Sequence, residues 1–323
     1  MKLVAKAEKW KLAEVFTISR GSRTETELVT VTLDDGTFEG RGECMANPRY
    51  NETQESVLAC IKKIDIDDQI DRQKLQTLLP ACAARNAIDC ALWDLEAKRA
   101  GKRVMELVGL NKSTTVTTAF TISADTPDKM AAAAHRNSAR PLLKLKISGD
   151  GDVDRVKAVR YGAPNARLIV DANEAWTEDM VEPLSKQLKT LGVEMIEQPL
   201  PKDADGALAN IPHTIPFCAD ESCHTSQDLE HLLGLYDVVN IKLDKAGGLT
   251  EALRLKKNAM AKGFKIMVGC MISTSLAMAP AYVVAQGAEY VDIDGPLLLA
   301  EDRIHGLEFS GSSVSPPSEF LWG

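Results

Sequence analysis

Six segments in the second half of the chain are short apolar runs that stop at a carboxylate or an amine. In order they read Leu142-Leu143-Lys144-Leu145-Lys146, Leu168-Ile169-Val170-Asp171-Ala172-Asn173, Met195-Ile196-Glu197-Gln198-Pro199, Phe217-Cys218-Ala219-Asp220-Glu221, Val238-Val239-Asn240-Ile241-Lys242 and Tyr290-Val291-Asp292-Ile293-Asp294. A charge at the end of a buried strand is costly unless it is paired or bound to a metal. Repeated six times with helix-like stretches between, the pattern predicts a closed barrel. One mouth of that barrel would collect three acidic metal ligands, lysines on two walls and a further acidic pair.

The texture of the rest of the chain fits this reading. Strands are predicted near 114–122, 142–147, 167–172, 194–198, 217–220, 237–242, 265–270 and 289–294. Helical patterns lie between them, for example Asp152–Tyr161, Thr177–Leu191, Leu249–Lys262 and Leu276–Gln286. Seven β-then-α units and an eighth strand make an α/β fold of the (β/α)8 barrel type. A doubly wound open sheet is the competing architecture, but it would focus polar residues at one switch point and not at nearly every strand end. Before residue 110 the order is strands first, helices second. Glu27–Leu33 and Phe38–Glu43 flank the hairpin signal Asp34-Asp35-Gly36. Glu52–Ile64 and Leu75–Leu79 read as helical, and Ala81–Arg99 is a long helix with one apolar face, stopped by Gly101. The expected division is an α+β unit over 1–110, a barrel over 111–299, and a tail over 300–323 that packs back on the first unit.

At 323 residues, 45% hydrophobic and 26% charged, the chain can bury a full core. A net charge of −8 argues against nucleic acid as a partner, since phosphate binding needs a basic face. The seven cysteines are scattered and form no C-x-x-C, so reduced, mostly buried thiols are expected. The N-terminus has no apolar signal core, and no apolar run approaches the roughly 18 residues of a membrane span. These features predict a cytoplasmic protein with no membrane partner.

Asp171, Glu197 and Asp220 end three successive strands. Three carboxylates held close together repel unless a divalent cation neutralises them, and oxygen ligands on rigid strand ends suit Mg²⁺. The alternative is three separate acids that cap helices or pair with lysines. Lys144 and Lys146 are two apart on one strand, so their side chains share a face. Lys242 ends the sixth strand, across the barrel from the second. A ligand between them would have an amine on each side, provided the lysine pKa falls well below its ordinary value. A structural reading pairs these lysines with the strand-end acids. Asp292 and Asp294 alternate before Gly295-Pro296, where they suit a substrate ammonium or else cap a helix. Arg20 and Arg23, in a Gly/Ser loop, suit recognition of a carboxylate, although a solvated turn arginine reads the same way. Tyr50, after Asn47-Pro48-Arg49, is a candidate lid residue, and His224 is at most an indirect support of the site.

These residues resemble the enolase superfamily, in particular its muconate-lactonising-enzyme subgroup, over nearly the whole chain. The matching motifs are Lys-x-Lys (Lys144, Lys146), Asp-Ala-Asn (Asp171–Asn173), Glu-Gln-Pro (Glu197–Pro199), Asp-Glu-Ser (Asp220–Ser222) and the sixth-strand lysine before Gly247-Gly248. Lys242 fills that last position; Lys245, three further on, is the alternative alignment. The first unit then corresponds to the family's α+β capping domain, including the helix from Ala83 to Leu95. Within the subgroup the resemblance is to bacterial dipeptide epimerases, whose ammonium motif looks like Asp292–Pro296 and whose arginine loop looks like Ser19–Thr24. It implies one Mg²⁺ per subunit, held by Asp171, Glu197 and Asp220. The implied reaction is a 1,1-proton transfer at the α-carbon of the C-terminal residue of L-Ala-D/L-Glu, through an enediolate, as part of murein peptide metabolism. Lys146 and Lys242 would exchange the proton on opposite faces while Lys144 stabilises the developing charge. Substrate binding would fall to Asp292, Asp294, Arg20, Arg23 and Tyr50. Such barrels are often homo-oligomers. Rivals within the superfamily are o-succinylbenzoate synthase, muconate cycloisomerase and N-acylamino-acid racemase. Their substrates carry no ammonium and leave Asp292 with Asp294 unexplained. A barrel that binds a ligand without turnover is the rival outside it.

Overall fold

A computed structural model describes residues 1–64, 70–110 and 114–323. The chain begins with an antiparallel sheet of β1 (Lys2–Ile18), β2 (Gly21–Asp34) and β3 (Glu39–Met45), in that order. The β2–β3 turn is built by its aspartates: Asp34 accepts from Gly36 N at 2.7 Å, and Asp35 accepts from Thr37 and Phe38 N. β1 has no counterpart in the sequence reading. It is lysine-rich and almost wholly unburied, so it lacks the apolar run that marks a strand. Its register with β2 breaks after Lys11↔Glu25 and resumes at Phe16↔Arg23, so Leu12–Val15 bulge opposite Thr24 alone. Beyond that bulge the hairpin tip, Phe16–Arg23, projects from the sheet. Ser19 and Arg20 form its turn, and Arg23 is in β2 rather than in a loop.

The helix Ala83–Ala100 lies directly on β3 and ends at Gly101, whose φ of 59° gives the left-handed C-cap. The approach is close enough that a Cβ at Gly42 would stand 2.1 Å from Ala87 O. The apolar stripe of this helix packs on the first sheet, but Cys90, Trp93 and Ala97 belong to the barrel's core. Its polar side is buried too. Arg85 donates to Gly247 O at 2.9 Å and Ala246 O at 2.6 Å, Asn86 to Asp244 Oδ1 at 2.9 Å, and Asp89 accepts from Thr250 N at 2.9 Å. Buried polar groups are tolerated when partnered in this way.

A short β4 (Val116–Thr117) precedes eight parallel strands: β5 (Phe120–Ile122), β6 (Leu142–Lys146), β7 (Arg167–Asp171), β8 (Val193–Glu197), β9 (Phe217–Ala219), β10 (Val238–Ile241), β11 (Lys265–Val268) and β12 (Tyr290–Val291). They pair in chain order. Ala119 N donates to Val291 O at 2.7 Å and Ile293 N to Thr118 Oγ1 at 2.9 Å, which joins the last strand to the first. That closure removes the open-sheet alternative. The strand predicted over 114–122 is two pieces, because at Thr118 the chain changes partner. β4 pairs with β14 (Ser313–Val314), itself paired with β13 (Phe309–Ser310), before β5 enters the barrel. The last predicted strand stops at Val291, and a 3-10 helix over Gly295–Leu298 follows. The tail touches the first unit as well: Trp322 Nε1 donates to Cys90 O at 3.1 Å and Gly323 N to Asp94 Oδ1 at 2.8 Å.

Candidate active site

The barrel interior is layered by the two-residue period of its strands. A buried apolar ring takes one side chain from each strand or its threshold: Ala119, Leu142, Ile169, Met195, Cys218, Val238, Met267 and Tyr290. Two residues on, in the same inward register, come Thr121, Lys144, Asp171, Glu197, Asp220, Asn240, Gly269 and Asp292. Two further on, at the mouth, stand Lys146, Asn173, Lys242 and Asp294. The charged layers are thus the continuation of an apolar plug, and strand pairing alone fixes which residues meet. The vacancy at Gly269 admits Asn240, since a Cβ there would lie 2.6 Å from its Oδ1.

One ligand oxygen from each of Asp171, Glu197 and Asp220 lies within 4.8 Å of the others, and all three residues are buried. Lys144 Nζ is 3.3 Å from Asp171 Oδ2, 2.7 Å from Glu197 Oε2 and 2.8 Å from Asp292 Oδ2. Lys146 Nζ is 2.5 Å from Asp171 Oδ2, and Lys242 Nζ is 2.6 Å from Asp220 Oδ2. Two buried oxygens, Glu197 Oε2 and Asp220 Oδ1, accept no hydrogen bond of good direction, although ammonium groups stand 2.7 Å away. An oxygen-only set with orphaned lone pairs suits a hard divalent cation.

Charge decides the titration. Burial pushes Asp171 up, but Lys146 and Lys144 outweigh it and hold the carboxyl down at about 2. Asp220 is likewise far below its usual value, burial being overcome by Lys242 and Lys245. Glu197 goes the other way, raised by burial and by Asp171. For Lys144, and for Lys242, burial disfavours the ammonium but the surrounding carboxylates win and raise both. At Lys144 and Lys242 the expectation of a lowered lysine pKa is therefore not met by the protein's own groups. Four carboxylates (Asp171, Glu197, Asp220, Asp292) face four ammonium groups (Lys144, Lys146, Lys242, Lys245), and only an added cation would tip that balance against the amines.

A cavity of about 320 Å³ lies between this mouth and the first unit. Lys146 and Lys242 line it, as do Asp220, Asn173 and Glu221; the hairpin tip and the 45–50 segment roof it. Strands β6 and β10 are four places apart in a ring of eight, so the two lysines enter from opposite walls. Lys245 does not reach the cavity. Its Nζ is buried against Asp220 Oδ1 at 2.7 Å and Asn240 O at 3.0 Å, which separates it from Lys242.

The two arginines of the hairpin part company. Arg20 is committed to the protein: it donates to Asn173 O at 3.0 Å, Glu174 Oε2 at 3.3 Å and Glu221 Oε1 at 2.9 Å. Arg23 lines the cavity and, among the described residues, its guanidinium has no hydrogen bond or ion pair; burial and the neighbouring Arg20 push its pKa down. Tyr50 also lines the cavity, edge-on to His224 with ring centroids 4.6 Å apart. Asp292 and Asp294 are both buried. The first is taken by Lys144; the second accepts from Thr121 N at 2.6 Å, and burial with the nearby Asp292 lifts it to about 7.

Sequence reasoning missed Asn240, which donates to Glu197 Oε1 at 2.7 Å, Lys245 as a clamp on Asp220, Glu221 and Glu174. Asn240 was detectable, since it stands two before Lys242 on an inward-facing register. Glu221 and Glu174 were not, because their partners are far away in sequence.

A closed barrel with three strand-end carboxylates, and lysines on facing walls of a cavity roofed by the first unit, defines a metal-assisted acid–base enzyme. The sequence matches the profile of the mandelate racemase / muconate lactonizing enzyme N-terminal domain over residues 1–109 and that of the enolase C-terminal domain-like fold over 129–318. The chain belongs to the mandelate racemase / muconate lactonizing enzyme family of the enolase superfamily. It is 45% identical to the L-Ala-D/L-Glu epimerase of Escherichia coli, over 94% of this chain and 96% of that one. It is 44% identical to an N-acetyl-D-glutamate racemase of Pseudoalteromonas, over 92% and 95%. An enolase family member from Agrobacterium tumefaciens with homology to dipeptide epimerases, solved with sodium and L-Ala-L-Glu, superposes with a TM-score of 0.98 at 51% identity, over 99% of both chains. A dipeptide epimerase from Enterococcus faecalis, solved with Mg and L-Leu-L-Tyr, gives 0.90 at 27% identity, over 98% and 96%.

Proposed function

We propose that this chain is a Mg²⁺-dependent epimerase that inverts the α-carbon of the glutamate residue of L-Ala-D/L-Glu. The observation that carries the reading is that Lys146 and Lys242, on opposite walls of one cavity, are each anchored to a different metal-site carboxylate. Asp171, Glu197 and Asp220 would hold one Mg²⁺, which when bound stabilises negative charge on the substrate carboxylate. Lys146 removes or returns the α-proton on one face and Lys242 on the other. Lys144, buried below the cavity, lends positive charge where the carboxylate of the deprotonated substrate gains negative charge. Arg23, the unpaired guanidinium, takes the glutamate side chain, and Tyr50 closes the cavity over it. Asp292 and Asp294 attract the dipeptide ammonium, which competes with Lys144 for Asp292. Residues 1–110 with the tail 300–323 act as the cap on the barrel 111–299. We place the reaction in the cytoplasm, in the breakdown of cell-wall peptides; seven unpaired cysteines support a reducing compartment.

A second reading has its own support. Asp292 is already neutralised by Lys144, so a substrate without an ammonium does not leave it unpaired. The reason for setting aside N-acyl substrates is thereby weakened, and the racemase relative points the same way. Proton NMR in D₂O tests both. With Mg²⁺ present, L-Ala-L-Glu should lose its glutamate α-proton signal much faster than N-acetyl-glutamate. No exchange with the dipeptide would refute the first reading; faster exchange with the N-acetyl compound would establish the second.

A further inference from the structure

Glu174 sits just past the third barrel strand in a left-handed backbone, φ 68°, following Asn173 at 45°. Side chains other than glycine and asparagine rarely adopt this conformation, and where they do the surroundings must hold them there. Here the carboxylate is the meeting point of two separate segments of the cap. From the segment after β3, Arg49 donates through Nε to Oε2 and through Nη2 to Oε1, both at 2.8 Å, a two-pronged fork. From the hairpin tip, Arg20 reaches Oε2 at 3.3 Å and continues to Glu221 at 2.9 Å. Lys202 N adds a third donor at 3.0 Å. The Glu174 side chain is 9% exposed, whereas those of Arg20 and Arg49 are 36% and 28% exposed.

The two segments tied at Glu174 roof the cavity, and they carry Arg23 and Tyr50 among its lining residues. Arg23 is three residues beyond Arg20, on the returning arm of the same tip; Tyr50 directly follows Arg49. The tip's other ties to the barrel are Arg20 Nη1 to Asn173 O at 3.0 Å, Ser19 Oγ to Asn173 O at 3.1 Å, Ala124 N to Thr17 O at 3.1 Å, and the packing of Phe16 against the Leu12–Ile272–Leu299 cluster. The Leu12–Val15 bulge breaks its ladder to the sheet behind it.

We propose that Glu174 is a positioning residue that locks both cap segments over the mouth, so that Arg23 and Tyr50 read the side chain of the C-terminal substrate residue. It is not one of the three candidate cation ligands and does not line the cavity. The inference deepens the dipeptide reading and rests on it for its substrate, but the lock itself does not. Without Glu174 the tip and the 47–51 segment move independently, and recognition of the side-chain carboxylate is lost before the proton chemistry is.

The test compares the wild type with Glu174→Gln, and with Arg49→Lys as a second variant should the first fold poorly. Hydrogen–deuterium exchange is followed over residues 16–23 and 47–51, with kinetics on L-Ala-L-Glu and its neutral isostere L-Ala-L-Gln. Exchange in both segments should accelerate in Glu174→Gln, and over residues 47–51 in Arg49→Lys, which keeps the Arg20 ties. KM for L-Ala-L-Glu should rise about tenfold or more with kcat within about threefold, while KM for L-Ala-L-Gln changes little. Loss of general stability would instead lower kcat for both substrates alike. Unchanged exchange in both segments, or equal KM changes for the two dipeptides, would overturn the proposal. If the wild type turns over neither dipeptide, the substrate reading fails and the exchange result alone still decides whether Glu174 is the lock.

Discussion

Replacing Lys242 by alanine isolates one of the two proposed bases. The structure indicates that the change should be chemically local. Asp220 loses the ammonium at 2.6 Å but keeps Lys245 at 2.7 Å, so the metal ligand is not released. Lys146 and Asp171, on the facing wall, are untouched. Four carboxylates would then face three ammonium groups, which makes the site more attractive to a divalent cation, so Mg²⁺ affinity should hold or rise. Removing a positioned acid–base group costs about 10²–10⁴ in rate, or roughly 3–5 kcal/mol of barrier. Epimerisation should fall by that factor, because inversion needs both faces. Exchange of the α-proton of one epimer, served by Lys146, should survive within about tenfold. Lys146→Ala should spare the other epimer. The assay is proton NMR in D₂O, run separately on L-Ala-L-Glu and L-Ala-D-Glu with each variant, with calorimetric Mg²⁺ titration alongside. Two variants that both epimerise, or that both lose exchange of the same epimer, would refute a two-base mechanism on these residues. A collapse of Mg²⁺ binding in Lys242→Ala would show that the lysine supports the metal site and not the proton transfer.

Arg23→Gln should raise KM for L-Ala-L-Glu by about 30–100-fold, the loss of roughly 2–3 kcal/mol of charge-assisted contact, whereas Arg20→Gln should act mainly by loosening the hairpin; steady-state kinetics with hydrogen exchange on both variants separate the roles. Asp292→Asn should lower kcat/KM for L-Ala-L-Glu at least about tenfold while Mg²⁺ affinity stays near wild type, and it should narrow the gap to N-acetyl-glutamate; intact dipeptide turnover in this variant would remove the ammonium role. Gly248→Ala should cost about 2–5 kcal/mol, because its φ is 118° and the new Cβ would stand 2.5 Å from Asp89 Oδ2; a thermal melt within a degree of wild type would show that the contact relaxes freely.

The metal carboxylates and the lysine walls were legible in the sequence because each is a charge ending an apolar run, and the barrel's two-residue period brings such ends together. The long helix was legible for the same kind of reason: its apolar stripe and its Gly101 stop are local signals. β1 was invisible because a half-exposed strand rich in lysine carries no such signal. The separate fates of Arg20 and Arg23 were equally hidden. Both sit in one Gly/Ser stretch, and only the fold brings Glu221 and Glu174 to Arg20 while leaving Arg23 free. Asp292 could be read as an acid at the mouth, but its pairing with Lys144 depends on β6 and β12 being two strands apart in a closed ring.

The helix Ala83–Ala100 gives this architecture a limit on its modularity. Its side chains take up the carbonyls of Ala246 and Gly247 and the carboxylate of Asp244, all within five residues of Lys242. The turn that follows one wall of the cavity is therefore held by a helix from the opposite end of the chain. A barrel cut free of its cap would expose those groups and leave the turn after that lysine without these partners. A cap transplanted from a relative to change substrate choice would need to bring Arg85, Asn86 and Asp89 with it, or exchange 244–250 at the same time. If the cap selects the substrate as proposed, substrate preference and the setting of Lys242 share this contact, and changes meant for the one would be felt in the other.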